Sequence, residues 1–176
     1  MRELSLHILD LLENAQRARA SVIAVTVEID EAADRLRVVI EDDGTGLKVS
    51  PEDATNPFYT TKAGKRTGLG LSLFRAAAEQ TGGGLTIGKS GLGPVGVRVA
   101  VELGLSHVDR SPLGDLAGTL AGVVCTNPDI DYVITIRCGA REHRVRTSEL
   151  GADAFRAAQA VQDVVGRALG AAAVPL

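Results

Sequence analysis

The sequence has few aromatic side chains: they make up 3% of its 176 residues, and tryptophan is absent. Apolar residues nevertheless account for 45% of the chain, so aliphatic side chains must form the core. A chain of this length can fold around one core or as a core with a small additional unit.

Other absences exclude whole classes of protein. The formal net charge of −3 gives no reason to expect nucleic-acid binding. Cys125 and Cys138 show neither metal-ligand pairing nor a disulfide framework, which favours reduced thiols in a cytoplasm. No apolar run approaches the about 20 residues that a membrane span needs, and the amino terminus lacks the features of a signal peptide. We therefore expect a cytoplasmic protein that binds neither nucleic acid nor a membrane.

The amino-terminal segment predicts an amphipathic helix. Its apolar residues recur at three- and four-residue steps and form one face, which comprises Leu4, Ile8, Leu11, Leu12, Ala15 and Ala18. His7, Asp10, Asn14 and Arg17 follow one another at steps of three, four and three, so they form a polar stripe along the same helix.

The pattern up to residue 105 favours a layer of helices on a mixed or antiparallel sheet. β-branched runs predict strands at 21–29, 35–41, 85–87 and 95–103. A second helix is predicted at 71–81 and ends at three consecutive glycines. The predicted fold class is therefore α+β, with two layers.

The composition changes after residue 105. The segment 106–115 has the character of a linker, with Pro112 and Gly114 as breakers. It precedes a predicted helix at 116–124, a hairpin of 132–137 and 142–147, and a helix at 152–169 with Phe155, Ala158, Val161, Val165 and Leu169 on one side. We expect a domain at 1–105 and an αββα appendage at 106–176, which is too small for confident independent stability and packs on the first domain or on a second subunit.

Asp42 precedes a glycine turn that suits a flat ligand. Gly44 and Gly46 have no side chains, so their backbone can lie close to such a ligand. An ionised carboxylate only accepts hydrogen bonds; Asp42 can accept one from the exocyclic amine of adenine and would reject the carbonyl of guanine. Asp43 fits a turn residue better.

A second glycine turn opens the helix predicted at Leu71. Gly68, Leu69 and Gly70 lead into this helix, where free backbone N–H groups and the helix dipole favour phosphate binding. The preceding loop supplies hydroxyls and positive charge from Thr60, Thr61 and Lys62, and Lys62 is the best candidate for a γ-phosphate contact. For Lys65 and Arg66, a phosphate contact and a solvated loop fit equally well.

The order of these motifs resembles the GHKL ATPases, the superfamily of gyrase-type topoisomerases, heat-shock chaperone ATPases, sensor histidine kinases and mismatch-repair ATPases. An asparagine-bearing helix is followed by Asp-x-Gly-x-Gly at 42–46, Pro-Phe-x-Thr-Thr-Lys at 57–62 and Gly-Leu-Gly-Leu at 68–71. The last two motifs are most similar to the histidine-kinase branch. The resemblance covers about residues 1–105, and four motifs in order are far more specific than a lone Gly-x-Gly.

This resemblance implies a Bergerat-type ATP-binding fold and a Mg-ATP ligand. It assigns the Mg²⁺ ligand to Asn14, the adenine contact to Asp42 and a phosphate-binding cation to Arg17. A single amide oxygen with phosphate oxygens and waters suffices for Mg²⁺. Many members also carry a Thr or Ser in the late strand, where this chain has Val97, and most histidine kinases have a longer lid than the segment 52–58.

The resemblance also suggests a general base. Several branches carry an acidic residue one helical turn before the asparagine, which makes Asp10 the candidate. Glu13 competes with it but is adjacent to Asn14 and so points about 100° away around the helix. His7 either orients Asp10 or is a bystander.

The expected function is Mg-ATP binding with phosphorylation of a separate protein in trans, on histidine or on serine, because no phospho-acceptor helix accompanies the motifs. The alternatives are an ATP-responsive regulatory or scaffold protein with little catalysis, and a simple ATPase. A homodimer is left open. The arginine-rich hairpin would face an acidic partner or form a solvated edge.

Overall fold

The computed structural model describes residues 3–56 and 69–171, and of Leu69 the backbone only. The helices of this part are α1 (Leu4–Arg17), α2 (Pro51–Ala54), α3 (Leu69–Gln80), α4 (Leu116–Thr126) and α5 (Ala154–Gly170). The strands are β1 (Val22–Asp30), β2 (Arg35–Asp42), β3 (Gly84–Lys89), β4 (Val97–Gly104), β5 (Asp131–Cys138) and β6 (Arg141–Arg146). A short 3₁₀ turn covers Thr147–Glu149.

The six strands form one mixed sheet in the order β3-β4-β2-β1-β5-β6. Neighbours are antiparallel except β1 and β5, which run parallel with Val22 opposite Asp131. The helices contact one another in the order α3, α1, α4, α5 and pack against the sheet. The predicted α+β class, with a layer of helices on a mixed sheet, is confirmed.

The core lies between the sheet and the helices and is almost entirely aliphatic. Alternate residues of β1 face it, and Ile23, Val25 and Val27 are fully buried. This alternation follows from the two-residue repeat of a strand. The predicted apolar face of α1 is also buried, with Leu4, Ile8 and Leu12 inaccessible to solvent.

The predicted strands, and the helices predicted at 71–81, 116–124 and 152–169, agree with the observed elements to within two residues at their ends, but two side chains lie elsewhere than expected. His7 is buried and stacks on Phe74, with ring centroids 5.0 Å apart, because α3 packs over the first half of the polar stripe. Phe155 is 72% exposed. It stands six residues before Val161, which places it about 120° around the helix from the buried stripe. The helix α2 was not expected.

The segment 106–176 has the predicted order of helix, two strands and helix. β5 adds to the sheet beside β1, and its core residues join the same apolar cluster as those of residues 1–105. The division at residue 105 stays a prediction about folding units. Among the described residues, no helix combines the length and the apolar character that crossing a membrane needs.

Candidate functional site

Helix α1 connects the two glycine motifs. Near its middle, Asp10 lies against the first turn of α3: a Cβ at Gly70 would be 3.2 Å from the Asp10 carboxylate. Just past its end, the carbonyl of Ala18 accepts a hydrogen bond from the N–H of Thr45 (3.0 Å). The two contacts are about 12 Å apart along the helix axis. The structure therefore places the Asp42 turn and the start of α3 at successive positions along α1.

Asp42 ends β2 and is 6% exposed. Its Oδ1 accepts the N–H of Gly44 (2.9 Å), and its carboxylate also accepts the N–H of Val97. Burial raises the pKa of Asp42 above its ordinary value, and the two backbone hydrogen bonds only partly offset this shift. Among the described residues, no cation contributes to the shift, so this part of the fold holds a desolvated carboxylate with backbone N–H groups.

Close backbone packing explains the glycines around Asp42. A Cβ at Gly44 would be 2.7 Å from the carbonyl oxygen of Ala18, and a Cβ at Gly96 would run into the backbone oxygen of Asp42. Gly96 also has φ +133°, which L side chains rarely adopt. The turn before β4 therefore lies directly on the Asp42 turn, and this brings the N–H of Val97 to the carboxylate.

Asp43 has a structural role that fits its interpretation as a turn residue. Its Oδ1 accepts the N–H groups of Ser21 (2.7 Å) and Val22 (2.9 Å), so it fixes the start of β1 beside β2. In the sequence, Val97 stands out only because it lacks the hydroxyl of the Thr or Ser that many family members carry there. Its backbone N–H, which is the functional group here, leaves no signal in the sequence.

Asn14 and Arg17 lie together on the exposed part of α1. Arg17 donates from Nη1 to Asn14 Oδ1 (2.9 Å) and from Nη2 to Glu13 Oε2 (2.6 Å). The guanidinium therefore occupies the amide oxygen that the resemblance assigns to Mg²⁺. Glu13 pairs with Arg17, whereas Asp10 faces α3, so the two carboxylates that competed for the general-base role differ in their surroundings.

The donor chemistry near the middle of α1 fits a magnesium ion. Asn14 is an exposed residue with an amide oxygen, and Asp10 is a half-buried residue with a carboxylate one turn earlier; Mg²⁺ prefers such hard oxygen ligands in small number. Within residues 3–56 and 69–171, no group of three or more His, Cys, Asp or Glu side chains could hold a metal ion. A magnesium ion here would therefore depend on the phosphates for most of its other ligands.

Part of the predicted site lies outside the described residues: Thr60, Thr61, Lys62, Lys65, Arg66 and Gly68. Of Leu69 the structure describes only the backbone, in the first turn of α3, and Leu71 is half-buried in the next positions of that helix. Gly46 has φ +79°, and a Cβ at this position would be 2.8 Å from Val95 Cγ1. Arg75 connects α3 to the residue after α2, since its Nη1 donates to Thr55 Oγ1 (3.0 Å).

Comparisons with known proteins identify the family of this chain. Residues 2–107 match the family described as histidine kinase-, DNA gyrase B-, and HSP90-like ATPase. The chain is 37% identical over 104 residues to the sensor protein kinase CarS of Pseudomonas aeruginosa, covering 58% of this chain and 22% of that protein. It also resembles the MutL ATPase domain of Aquifex aeolicus complexed with ADP, with 17% identity, a TM-score of 0.47 and coverage of 89% and 66% of the two chains. Since the family match spans more than half of the chain, this protein belongs to the histidine kinase-, DNA gyrase B- and HSP90-like ATPases.

Proposed function

We propose that this protein binds Mg-ATP and phosphorylates a separate protein in trans. The observation that supports the proposal best is the arrangement along α1, which contacts the Asp42 turn just past its end and the start of α3 near its middle. A nucleotide lying along this helix would have adenine at Asp42 and phosphates near Asp10 and Asn14.

Each residue then has a defined task. Asp42 accepts a hydrogen bond from the exocyclic amine of adenine, and the N–H groups of Gly44 and Val97 hold its carboxylate in place. Asp10 takes a proton from the attacking hydroxyl or imidazole of the acceptor protein. Asn14 would hold the magnesium ion, which would supply positive charge beside the phosphates. Arg17 leaves Asn14 and pairs with a phosphate oxygen.

The arginine-rich hairpin is the weaker part of the partner hypothesis. Arg137 pairs with Glu142 (2.7 Å) and Arg146 with Asp131 (2.7 Å), so two of its cations are already neutralised within the sheet. Arg141 donates to the carbonyl of Ala171 (3.1 Å). These contacts favour the solvated edge over a dock for an acidic partner.

A second candidate is an ATP-responsive regulator with little catalysis. The bond between Arg17 and Asn14 favours it in one respect, because Mg-ATP binding at Asn14 requires Arg17 to move. Such a rearrangement at an exposed helix end can change the affinity for a partner without phosphoryl transfer.

Calorimetric titration with ATP and GTP, with and without Mg²⁺, tests the binding step. We expect ATP to bind more tightly than GTP and Mg²⁺ to strengthen ATP binding. Asn14→Ala should abolish the effect of Mg²⁺ on ATP affinity and leave Mg²⁺-free binding largely intact. The control is Gln159→Ala, at an exposed position of α5. Equal affinity for the two nucleotides, or no binding, contradicts the proposal.

A second experiment separates kinase from regulator. Asp10→Asn removes the candidate base, and the matched variant Glu13→Gln removes the carboxylate that pairs with Arg17. A kinase should lose about 10²- to 10⁴-fold in the rate of phosphoryl transfer in Asp10→Asn alone. If Asp10→Asn retains full biological activity while Asn14→Ala loses it, the regulator is the correct function.

A further inference from the structure

We propose that the chain beyond residue 107, outside the match to the ATPase family, positions the nucleotide-binding helix. Residues 110–114, which we call the strap, fix the amino-terminal end of α1, and Tyr132 of β5 fixes its other end. Asp10 and Asn14 lie between these two anchors. The consequence for binding rests on the function proposed above, whereas the anchoring itself does not.

The strap supplies a cap that α1 lacks locally. The N-cap residue Glu3 makes no side-chain capping hydrogen bond. Instead the N–H of Leu4 donates to the carbonyl of Pro112 (2.9 Å) and the N–H of Ser5 to that of Leu113 (2.9 Å). The first N–H groups of a helix have no partner within the helix, so the strap satisfies donors that would otherwise be unpaired.

The strap is held in shape by its own contacts. Arg110 donates from Nε to the carbonyl of Leu105 (2.6 Å) and from Nη1 to that of Ser111 (3.2 Å). Leu113 is 2% exposed, and Gly114 has φ +72°. A Cβ at Gly114 would run into the Ser5 hydroxyl and the Glu3 carboxylate. The position therefore suits glycine for two reasons, the backbone conformation and the lack of space.

The second anchor lies near the other end of α1. Gln16, two residues after Asn14, donates from Nε2 to the hydroxyl of Tyr132 (3.2 Å). Tyr132 is 1% exposed, and its backbone N–H donates to Thr147 Oγ1 (2.9 Å). Tyr132 therefore lies in a buried part of the sheet, and its position is set by β5 pairing in parallel with β1.

Two anchors on one short helix determine where its middle lies. A helix of 14 residues behaves as a rod, so moving either end displaces Asp10 from α3 and Asn14 from the phosphates. Displacements of about 1 Å are enough to weaken catalysis and metal coordination strongly. The family match alone would assign the site to residues 2–107, whereas these contacts make its geometry depend also on the strap and on Tyr132.

Hydrogen exchange on the full chain tests the anchoring without any nucleotide. Gly114→Ala should speed the exchange of the Leu4 and Ser5 amides about tenfold, and that of the rest of α1 to a smaller degree. Gly139→Ala is the matched control, since Gly139 also has a positive φ, +58°, but nothing lies within 4 Å of its Cβ position. If both variants change α1 equally, the strap does not anchor the helix.

Binding measurements test the positioning. The readout is the ratio of ATP affinities with and without Mg²⁺, because a purely stabilising role would not alter it. Tyr132→Phe and Gln16→Ala should each lower this ratio about threefold, and the double variant should lower it no further. An unchanged ratio in both single variants overturns the proposal. If the wild-type protein binds no ATP, the proposed function fails, and hydrogen exchange in Tyr132→Phe still decides whether α1 is anchored.

Discussion

Two aspartates lie at the same end of the sheet, on either side of β1, and their environments are opposite. Asp42 of β2 is paired with Ile23, so it faces the helices, while Asp131 of β5 is paired with Val22 and faces the other side. Asp131 is held by Arg146, whose Nε and Nη2 both lie 2.7 Å from its Oδ2. Its Oδ1 accepts the N–H of Ser148 (3.0 Å).

The pKa shifts of the two groups differ in sign. Burial acts to raise the pKa of Asp131, but hydrogen bonds from Arg146 and Ser148 outweigh it and hold the pKa below the ordinary value. At Asp42 burial prevails, and the pKa is raised. Asp131 therefore stabilises the folded state at neutral pH, whereas the ionised Asp42 costs stability. Carboxylates with such shifted pKa values cluster at functional sites, which makes Asp42 a candidate for one.

The largest expected effect comes from the turn that supports Asp42. Gly96→Ala places a methyl group against a backbone oxygen at φ +133°, so we expect the free energy of unfolding to fall by about 3 kcal/mol or more. Gly151→Ala is the control on the Asp131 side, because Gly151 has φ +87° but open space around its Cβ position. It should cost about 1 kcal/mol. Chemical denaturation compares the two, and equal losses would mean that the Asp42 turn is not under packing constraint.

Asp42→Asn should cause the next largest change, in binding. Loss of a charged acceptor should weaken ATP affinity by about 30- to 150-fold, measured by calorimetry.

Because the folded-state pKa of Asp42 is raised, its stability contribution is present below the ordinary value of 3.8 and is lost as pH rises through the folded-state pKa. The unfolding free energy of the wild type, relative to this variant, should therefore fall as the pH rises from 3.8 through the folded-state pKa of Asp42. A rise over that range contradicts the assignment.

Arg146→Gln should give the opposite pH dependence with a smaller effect. Since the folded-state pKa of Asp131 is lowered, its contribution is present above 3.8 and is lost as pH falls through the folded-state pKa. The variant should therefore have a lower Tm than the wild type at neutral pH and approach it in acid. Arg144→Gln is the control, because Arg144 is exposed on the same strand and makes no ion pair with a described residue. Equal effects at both arginines would remove the contrast between the two aspartates.

Val97→Thr should have the smallest effect. The N–H at 97 already holds Asp42, so the added hydroxyl can only order water beside the carboxylate. We expect at most about a fivefold gain in ATP affinity and no change in the pH dependence of stability. Val99→Thr, in the same strand but buried in the core, should lower stability without improving binding.

The sequence contained enough to predict the elements and the fold class. The alternation of β1, the repeat of α1 and the glycines after Asp42 are local signals, and each corresponds to a feature of the structure. The geometry around the carboxylate could not be predicted, because its donors are backbone N–H groups brought together by the turn before β4. The stacking of His7 on Phe74 likewise depends on how α3 crosses α1.

The structure of the segment beyond residue 105 can likewise be predicted only in part from the sequence. Its helices and hairpin were predicted from periodicity, but the pairing of β5 with β1 has no local pattern in either strand. The strap reads as a linker because Pro112 and Gly114 are typical of one. Its function as a helix cap depends on carbonyl groups, which every residue has.

The sheet order also bears on how the protein is made. The ribosome delivers α1 and β1 before residues 112–138, which supply the carbonyls that cap α1 and the strand that covers the free edge of β1. Until then β1 is exposed along one edge and its helix is uncapped. The nascent chain therefore completes α1 and β1 late. Synthesis that stops near residue 105 leaves one edge of β1 unpaired, and this edge can associate with other chains.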